Sequence, residues 1–403
     1  MAMSVHKITV LGDIMCEPRL LKAARASDGS YDFSGVFRNV RELLSESDFV
    51  IGNLETPLAG EAAGYASSLF RFNAPDSFAI AAKEAGIDLL LTANNHCLDR
   101  GLDGLKRTVE VLEEKQIPHA GTFSEPAKRG NTYVQIGDTR LAVIAYTYGT
   151  NYSDNHILLP ELERDYVNLL RPQTESYFVH RPQKRTLGKR ILNKAANLFH
   201  GEKRYYARKL LGLPVNQAHA DDNLVIETLG PYLNRVLSDI DEAKQNADFV
   251  LFCPHVGGQF NVIPGAFSRY IVDAATERGV DAVVASHAHV VQEAELRHGI
   301  PCFFSLGNFS MSPNSVYLLH ENLPEYGIAA HMYLDNARIV KTSFSILRII
   351  EGKTMTVYPA DIFAKQCSTD EVIQLREDIR RIVQTVTGKE IDGDTVQREY
   401  ILS

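Results

Sequence analysis

The sequence predicts an α/β protein, with helices packed outside a parallel or mixed sheet. Three observations carry that expectation. Short apolar runs alternate with stretches of helical periodicity through the first 150 residues. The same alternation resumes after about residue 225. The residues able to do chemistry recur where an apolar run ends, which is where ligands collect in such sheets.

The elements follow in order. Ile8–Leu11 is a strand closed by Gly12-Asp13, Val36–Leu44 has helical spacing, and Asp48–Gly52 is a second strand ended by Asn53. Ser77–Ala85 reads as a helix and Ile87–Leu91 as a third strand. Leu102–Leu112 is a helix with apolar pairs at i, i+3 and i+4. Leu141–Tyr146 is a further strand, followed much later by a helix near Val225–Ala243 and a strand Phe249–Cys253. A helix Phe267–Arg278 and strands Ala282–Ala285 and Cys302–Ser305 continue the pattern. Beyond Gly327, the strands Ile328–Leu334, Ser343–Ile349 and Met355–Tyr358 are separated by the turn signals Asp335-Asn336 and Glu351-Gly352. Antiparallel strands therefore complete a sheet late in the chain. Glu371–Val386 is a charged amphipathic helix before a polar tail.

Composition bounds the function. The 403 residues carry 42 Lys+Arg against 50 Asp+Glu, a formal charge of −8, with 45% hydrophobic residues. That excludes a disordered polyanion, a collagen-like fibre and a disulfide scaffold, and it argues against a dedicated nucleic-acid binder. No basic n-region precedes an apolar stretch at the start, and nowhere do about 18 apolar residues run together. Five cysteines (16, 97, 253, 302, 367) are scattered without a C-x-x-C. The expectation is a cytoplasmic protein with reduced thiols and no membrane span.

One segment departs from the average. Residues 171–215 hold eleven Lys/Arg and two acids, a net +9, which leaves −17 for the rest of the chain. Leu187, Ile191, Ala195, Leu198 and Phe199 have helical spacing within it, so a basic helical insertion is expected. Two readings of it stand side by side: a clamp for an anionic partner, or a solvated helix face or oligomer contact.

The strand ends supply Asp13, then Glu55, then Asn94-Asn95-His96, then His255, then His287 with His289. Taken singly, each is a cap, a turn former or a buried polar residue. Together, two carboxylates, a carboxamide and several imidazoles form an N/O set suited to Zn, Mn or Fe, one ion or two. His287 and His289 are two apart, so extended backbone would send both rings from one face. A carboxylate shared by two metals holds them roughly 3.5–4 Å apart, activates water and neutralises a developing oxyanion. His96, beside Asn95, is placed to protonate a leaving group, and Asp99 orients that imidazole or caps the helix after it, two roles that do not exclude each other. Glu351-Gly-Lys-Thr ends like a phosphate-binding loop, but Leu347 stands where glycine is required. Cys97 and Cys253 adjoin His96 and His255 without a base and orienter, so no cysteine nucleophile is expected.

These strings, in this order, resemble the bacterial capsule-synthesis CapA (poly-γ-glutamate) family, a branch of the calcineurin-like metallophosphoesterases. The pieces are Gly12-Asp-Ile-Met15, Asn53-Leu-Glu55, Ala93-Asn-Asn-His-Cys-Leu-Asp99 with Gly101, and Tyr146-Thr-Tyr-Gly-Thr-Asn151. His255-Val-Gly257, His287-Ala-His-Val-Val-Gln292 and Ser305-Leu-Gly-Asn-Phe309 complete the set. The resemblance implies a four-layer αββα sandwich over residues 1–365, with the basic insertion at 152–221 and a C-terminal helix and tail at 366–403. Asp13 and His289 would hold a first metal, Glu55 would bridge, and Asn95, His255 and His287 would face a second. His96 would be the acid histidine, and Arg71, Tyr148, Asn151 and Asn308 are candidate substrate contacts. The superfamily usually carries His where this chain has Met15, for which Glu17 or water would substitute. The family tends to carry an acid where this chain has Gln259.

The implied function is capsule or poly-γ-glutamate metabolism by metal-dependent hydrolysis of an anionic substrate, polymeric or small, at a γ-glutamyl amide or a phosphoester. The alternatives are a non-catalytic accessory or binding subunit of a polymer-synthesis complex, and a cytosolic metal-dependent phosphodiesterase.

Overall fold

The computed structural model describes residues 5–66, 70–173, 186–196, 198, 207–208, 210–213, 221, 226–315, 318, 320–391 and 395–403. Its framework is two sheets. The first contains β1 (His6–Ile14), β2 (Phe49–Leu54), β3 (Leu89–Leu91), β4 (His119–Ala120), β11 (Tyr326–Asp335), β12 (Arg338–Glu351), β13 (Met355–Pro359) and β14 (Tyr400–Ile401). Their order is β13-β12-β11-β1-β2-β3-β4, with β14 also on β12. β1 to β4 are parallel, and β11 to β13 are added antiparallel on the other side of β1.

The second sheet contains β5 (Thr132–Ile136), β6 (Thr139–Thr147), β7 (Phe249–His255), β8 (Ala282–Val284), β9 (Ala294–Arg297) and β10 (Ile300–Phe303), ordered β5-β6-β7-β8-β10-β9. Its four central strands are parallel and both edges are antiparallel hairpins.

The period of two along each strand builds the layers. On β6, Leu141, Val143 and Ala145 enter a cluster shared with Ile8, Val10 and Ile51 of the other sheet. The alternate residues Ala142, Ile144 and Tyr146 pack on the far side with Ile240 and Ile271, from the helices Ile226–Asn246 and Ala266–Arg278. The opposite face of the first sheet meets Phe37, Phe78 and Leu112 from the helices Ser34–Phe37, Asp76–Glu84 and Gly101–Glu114. Three apolar interfaces between four layers make the αββα sandwich, each buried Leu, Val or Phe contributing about 1.5–3 kcal/mol.

Thr369–Thr387 is a helix opened by a capping box of Ser368 with Glu371 and closed by left-handed Gly388. It delivers Leu375, Ile379, Ile382, Val383 and Val386 into the inter-sheet cluster, and Asp378 accepts a hydrogen bond from the Tyr326 hydroxyl at 2.7 Å. Within the basic segment a helix Leu187–Ala196 is present; residues 174–185, 199–206 and 214–220 lie outside the described set. No helix among the described residues is long and apolar enough to cross a membrane.

Candidate metal centre

The parallel strands of both sheets end at one edge, and that edge gathers the strand-end residues. β1 reaches it through an irregular step: its register with β2 shifts between Val10 and Asp13. Gly12 permits the step, because a Cβ there would stand 2.1 Å from the Gly307 carbonyl oxygen. Such a bulge re-aims the residue that follows it, and Asp13 is carried into the interior with no exposure.

Glu55 follows β2, and its backbone N–H donates to the Ile14 carbonyl at 3.0 Å. β7 supplies His255 at its last position, and the segment after β8 supplies His287 and His289. The ligand atoms of Asp13, Glu55 and His255 lie within 4.8 Å of one another, as do those of Glu55, His287 and His289. Glu55 belongs to both groups. His289 Nδ1 also lies 3.2 Å from Asp13 Oδ2, and the His255 and His287 rings are 4.8 Å apart, so the pairs that the family resemblance implied are neighbours around the same shared carboxylate.

The backbone at 287–289 corrects one expectation. It is not extended: φ is +108° at His287 and +57° at His289. Neither residue is glycine, so the turn stores strain of order 1–3 kcal/mol per residue. Both imidazoles arrive through this turn, with ring centroids 5.7 Å apart.

A surrounding set of hydrogen bonds fixes these side chains. Asn53 Nδ2 donates to Asp13 Oδ1 at 2.8 Å. Ser286 Oγ lies 2.9 Å from His255 Nδ1, turning Nε2 toward Asn95 Oδ1 at 2.7 Å and Glu55 Oε1 at 3.4 Å. Asn308 Oδ1 is 3.0 Å from His289 Nδ1, and its Nδ2 donates to the carbonyls of His289 and Pro324. Asn308, offered by the sequence as a substrate contact, is fully buried with these bonds directed at His289. Asn53 was read only as a strand end and the first residue of Asn53-Leu-Glu55, with no role assigned, and Ser286, which adjoins His287, was not named.

Electrostatics separates the two carboxylates. Burial opposes the charge of Asp13, but the hydrogen bond and charge of His289, with His255 and Asn53, hold its carboxyl below the ordinary range. Burial, reinforced by the charge of Asp13, drives Glu55 well above its ordinary value. Burial pushes His255 down to about 3, and burial with the neighbouring His255 and His289 pushes His287 well down, so both are neutral ligands in waiting.

Beside this cluster His96 Nδ1 is 2.7 Å from Asp99 Oδ2. Asp99 is fully buried and also accepts from the Phe72 N–H at 2.6 Å. The N-cap of the helix Gly101–Glu114 is Arg100, with no side-chain cap bond, so of the two sequence readings of Asp99 the carboxylate makes the imidazole contact. Asn151, in left-handed backbone at φ +52°, accepts from Asn95 Nδ2 at 2.9 Å and lies 3.2 Å from His96 Nδ1. Tyr148 packs its ring 4.5 Å from that of His287. Arg71 is exposed and donates to the Asp99 carbonyl at 3.3 Å. Met15 is packed in the apolar layer between sheet and helices. Glu17 accepts from the Ser312 N–H at 2.6 Å and from the Ser315 hydroxyl, so its carboxylate is engaged away from the cluster.

The donor set passes a test for a cation. Both Glu55 oxygens and His287 Nδ1 are buried without a hydrogen-bond partner. Leaving such groups unpaired costs roughly 1–3 kcal/mol each, more when charged, and a divalent ion removes that cost. Three imidazoles, two carboxylates and a carboxamide without thiolate fit Zn, Mn or Fe.

Comparison with known proteins agrees with the motif order. Residues 7–312 match the family described as Bacterial capsule synthesis protein PGA_cap. The chain is 24% identical over 307 residues to the capsule biosynthesis protein CapA of Bacillus anthracis, covering 75% of this chain and 59% of that one. It is 23% identical over 311 residues to the PGA biosynthesis protein CapA of Bacillus subtilis (strain 168), covering 76% and 63%. The chain thus spans less than two thirds of the length of these curated relatives. A solved Staphylococcus aureus structure with a provisional 5'-nucleotidase name, in complex with alpha-ketoglutarate, is 14% identical with a TM-score of 0.42, covering 94% of this chain and 58% of that one. That likeness is too distant to bear on function. With its ordered motifs and the family match spanning most of its length, the chain belongs to the bacterial capsule synthesis PGA_cap family.

Proposed function

We propose that this chain is a divalent-metal-dependent hydrolase acting on an anionic substrate of capsule or poly-γ-glutamate metabolism. The observation that carries the reading is Glu55: a fully buried carboxylate, shared by two ligand groups, whose oxygens have no hydrogen-bond partner among the described residues. Asp13, Glu55, Asn95, His255, His287 and His289 would hold the ion or ions. When bound, a divalent ion supplies Lewis acidity toward the substrate and lowers the pKa of a water.

The protein's own groups do the rest. Asp99 holds His96 by Nδ1, which leaves Nε2 to deliver a proton to the leaving group. Ser286 and Asn308 fix the rings of His255 and His289, so binding costs little reorganisation. Arg71, exposed and bonded to the Asp99 carbonyl, and Tyr148, against His287, are suited to orient an anionic group.

Metal analysis of purified protein, with hydrolysis assays on a phosphomonoester, a phosphodiester and a γ-glutamyl amide, tests this reading. Asp13→Asn and His287→Ala should lose metal and activity while remaining folded. Full activity from metal-free Asp13→Asn would sink it. One observation favours a second reading, a non-catalytic binding subunit of a polymer-synthesis complex. Met15 sits in the apolar core where the superfamily carries a metal-binding histidine, and Glu17 is engaged with Ser312 and Ser315 instead of replacing it. Absence of bound metal and of any stimulation by added Zn, Mn or Fe selects that alternative.

A further inference from the structure

The metal centre leaves the basic segment unexplained. The helix Leu187–Ala196 has two apolar sides. One turns inward: Ala196 is buried and Leu192 half-buried, with buried Leu213 in the same segment. The other turns to solvent. Ile191, Ala195 and Leu198 fall at i, i+4 and i+7, with Ile191 61% and Leu198 80% exposed. Leu210 is 88% exposed. A folded protein gains nothing by holding this stripe in water. Exposed Arg190 and Lys194 flank it, and Arg208 donates to Asn193 on the helix at 3.0 Å, adding a third cation.

We propose that this face docks on the surface of an anionic lipid bilayer. The two features together select that occupant. A soluble polyanion would engage the cations and leave Ile191, Leu198 and Leu210 in water. A bilayer surface takes both, burying the apolar stripe at the headgroup boundary while the cations meet lipid phosphates. Charge supports attachment here: Arg190, Lys194 and Arg208 border the stripe, in a sequence segment, 171–215, of net charge +9, whereas the remaining chain sums to −17. Attachment is therefore peripheral and oriented, and it does not depend on what the metal centre does.

Flotation of the full chain with vesicles tests this. Wild type should float with vesicles of equal parts phosphatidylcholine and phosphatidylglycerol and not with phosphatidylcholine alone. Raising NaCl from about 0.1 M to about 0.5 M should weaken binding. Ile191→Glu/Leu198→Glu should lower partitioning by about tenfold or more. Arg190→Gln/Lys194→Gln should weaken binding and flatten its salt dependence. Both pairs are exposed, so the far-UV circular dichroism of each variant should match wild type. The proposal is overturned if wild type stays unbound to the mixed vesicles, or if Ile191→Glu/Leu198→Glu floats as well as wild type. It is equally overturned if the wild type binds soluble poly-γ-glutamate but no vesicle, which would make the segment a polyanion clamp.

Discussion

His255 Nε2 stands 3.4 Å from Glu55 Oε1 with both residues buried, yet neither oxygen of Glu55 accepts a hydrogen bond. An imidazole that close would ordinarily satisfy the carboxylate by charging. Burial prevents it, holding His255 neutral down to about pH 3. Glu55 is therefore driven toward its protonated form in the metal-free protein, while Asp13 stays ionised through His289 and Asn53.

That division predicts proton release. His255 and His287 are held neutral and Glu55 is driven toward its protonated form, so loading a divalent ion should displace a proton from Glu55. Titration calorimetry in buffers of differing ionisation enthalpy measures it directly. Glu55→Gln should abolish the release and weaken binding at least tenfold. Unchanged proton release from Glu55→Gln would mean that the proton comes from another group.

Asp99→Asn should reduce turnover by about 10²–10⁴-fold with metal content unchanged. Asp99 Oδ2 makes both the Phe72 N–H and the His96 Nδ1 contact, so an amide oxygen in its place preserves the loop while the negative charge beside the imidazole is lost. Turnover, metal stoichiometry and the pH profile measured together separate this from a folding defect. An unchanged rate would remove His96 from the chemistry.

Much of this architecture was legible in the sequence because burial enforces periodicity. Leu141–Tyr146 reads as a strand since each of its two faces meets a different apolar layer. The late antiparallel strands were visible for the same reason. The hairpin of β9 and β10 was only half seen: Ala294–Arg297 is a four-residue edge strand, and its turn uses His298-Gly299, both at positive φ, in place of the Asn-Gly that announces such turns. Strand-end position exposed Asp13, Glu55, His255, His287 and His289. The left-handed turn at 287–289 was hidden, because φ there is imposed by tertiary contacts and not by local residue preference. The supporting roles of Ser286 and Asn53 were hidden because such a hydrogen bond leaves no periodic trace.

Gly12→Ala should destabilise the protein by roughly 2–4 kcal/mol or more. The added methyl would meet the Gly307 carbonyl oxygen at 2.1 Å, and backbone cannot swing aside as a flexible side chain can. Asp13 N–H donates to that same carbonyl at 3.0 Å, so relaxation must also displace Asp13. The unfolding midpoint and the metal affinity should therefore fall together. A variant with wild-type metal affinity would show that the bulge does not aim Asp13.

Glu17 gives the chain a pH-dependent stability separable from the metal centre. Its carboxyl is fully buried, and burial raises its pKa from 4.5 to about 7 against the bonds from Ser315 and Ser312. Glu351 raises it further and Arg19 opposes it. A carboxyl whose folded pKa is raised binds its proton more tightly in the native state. Stability is thus greatest below pH 4.5, falls as pH climbs toward about 7, and has no further slope from this group above that. The full loss is about 3 kcal/mol. Glu17→Gln cannot charge, so it should lack this decline, and subtracting its urea-unfolding stability curve from that of wild type, between about pH 4 and about pH 8, cancels the contributions of all other groups. Parallel curves would mean that Glu17 titrates normally and that Ser312 and Ser315 fully compensate its burial.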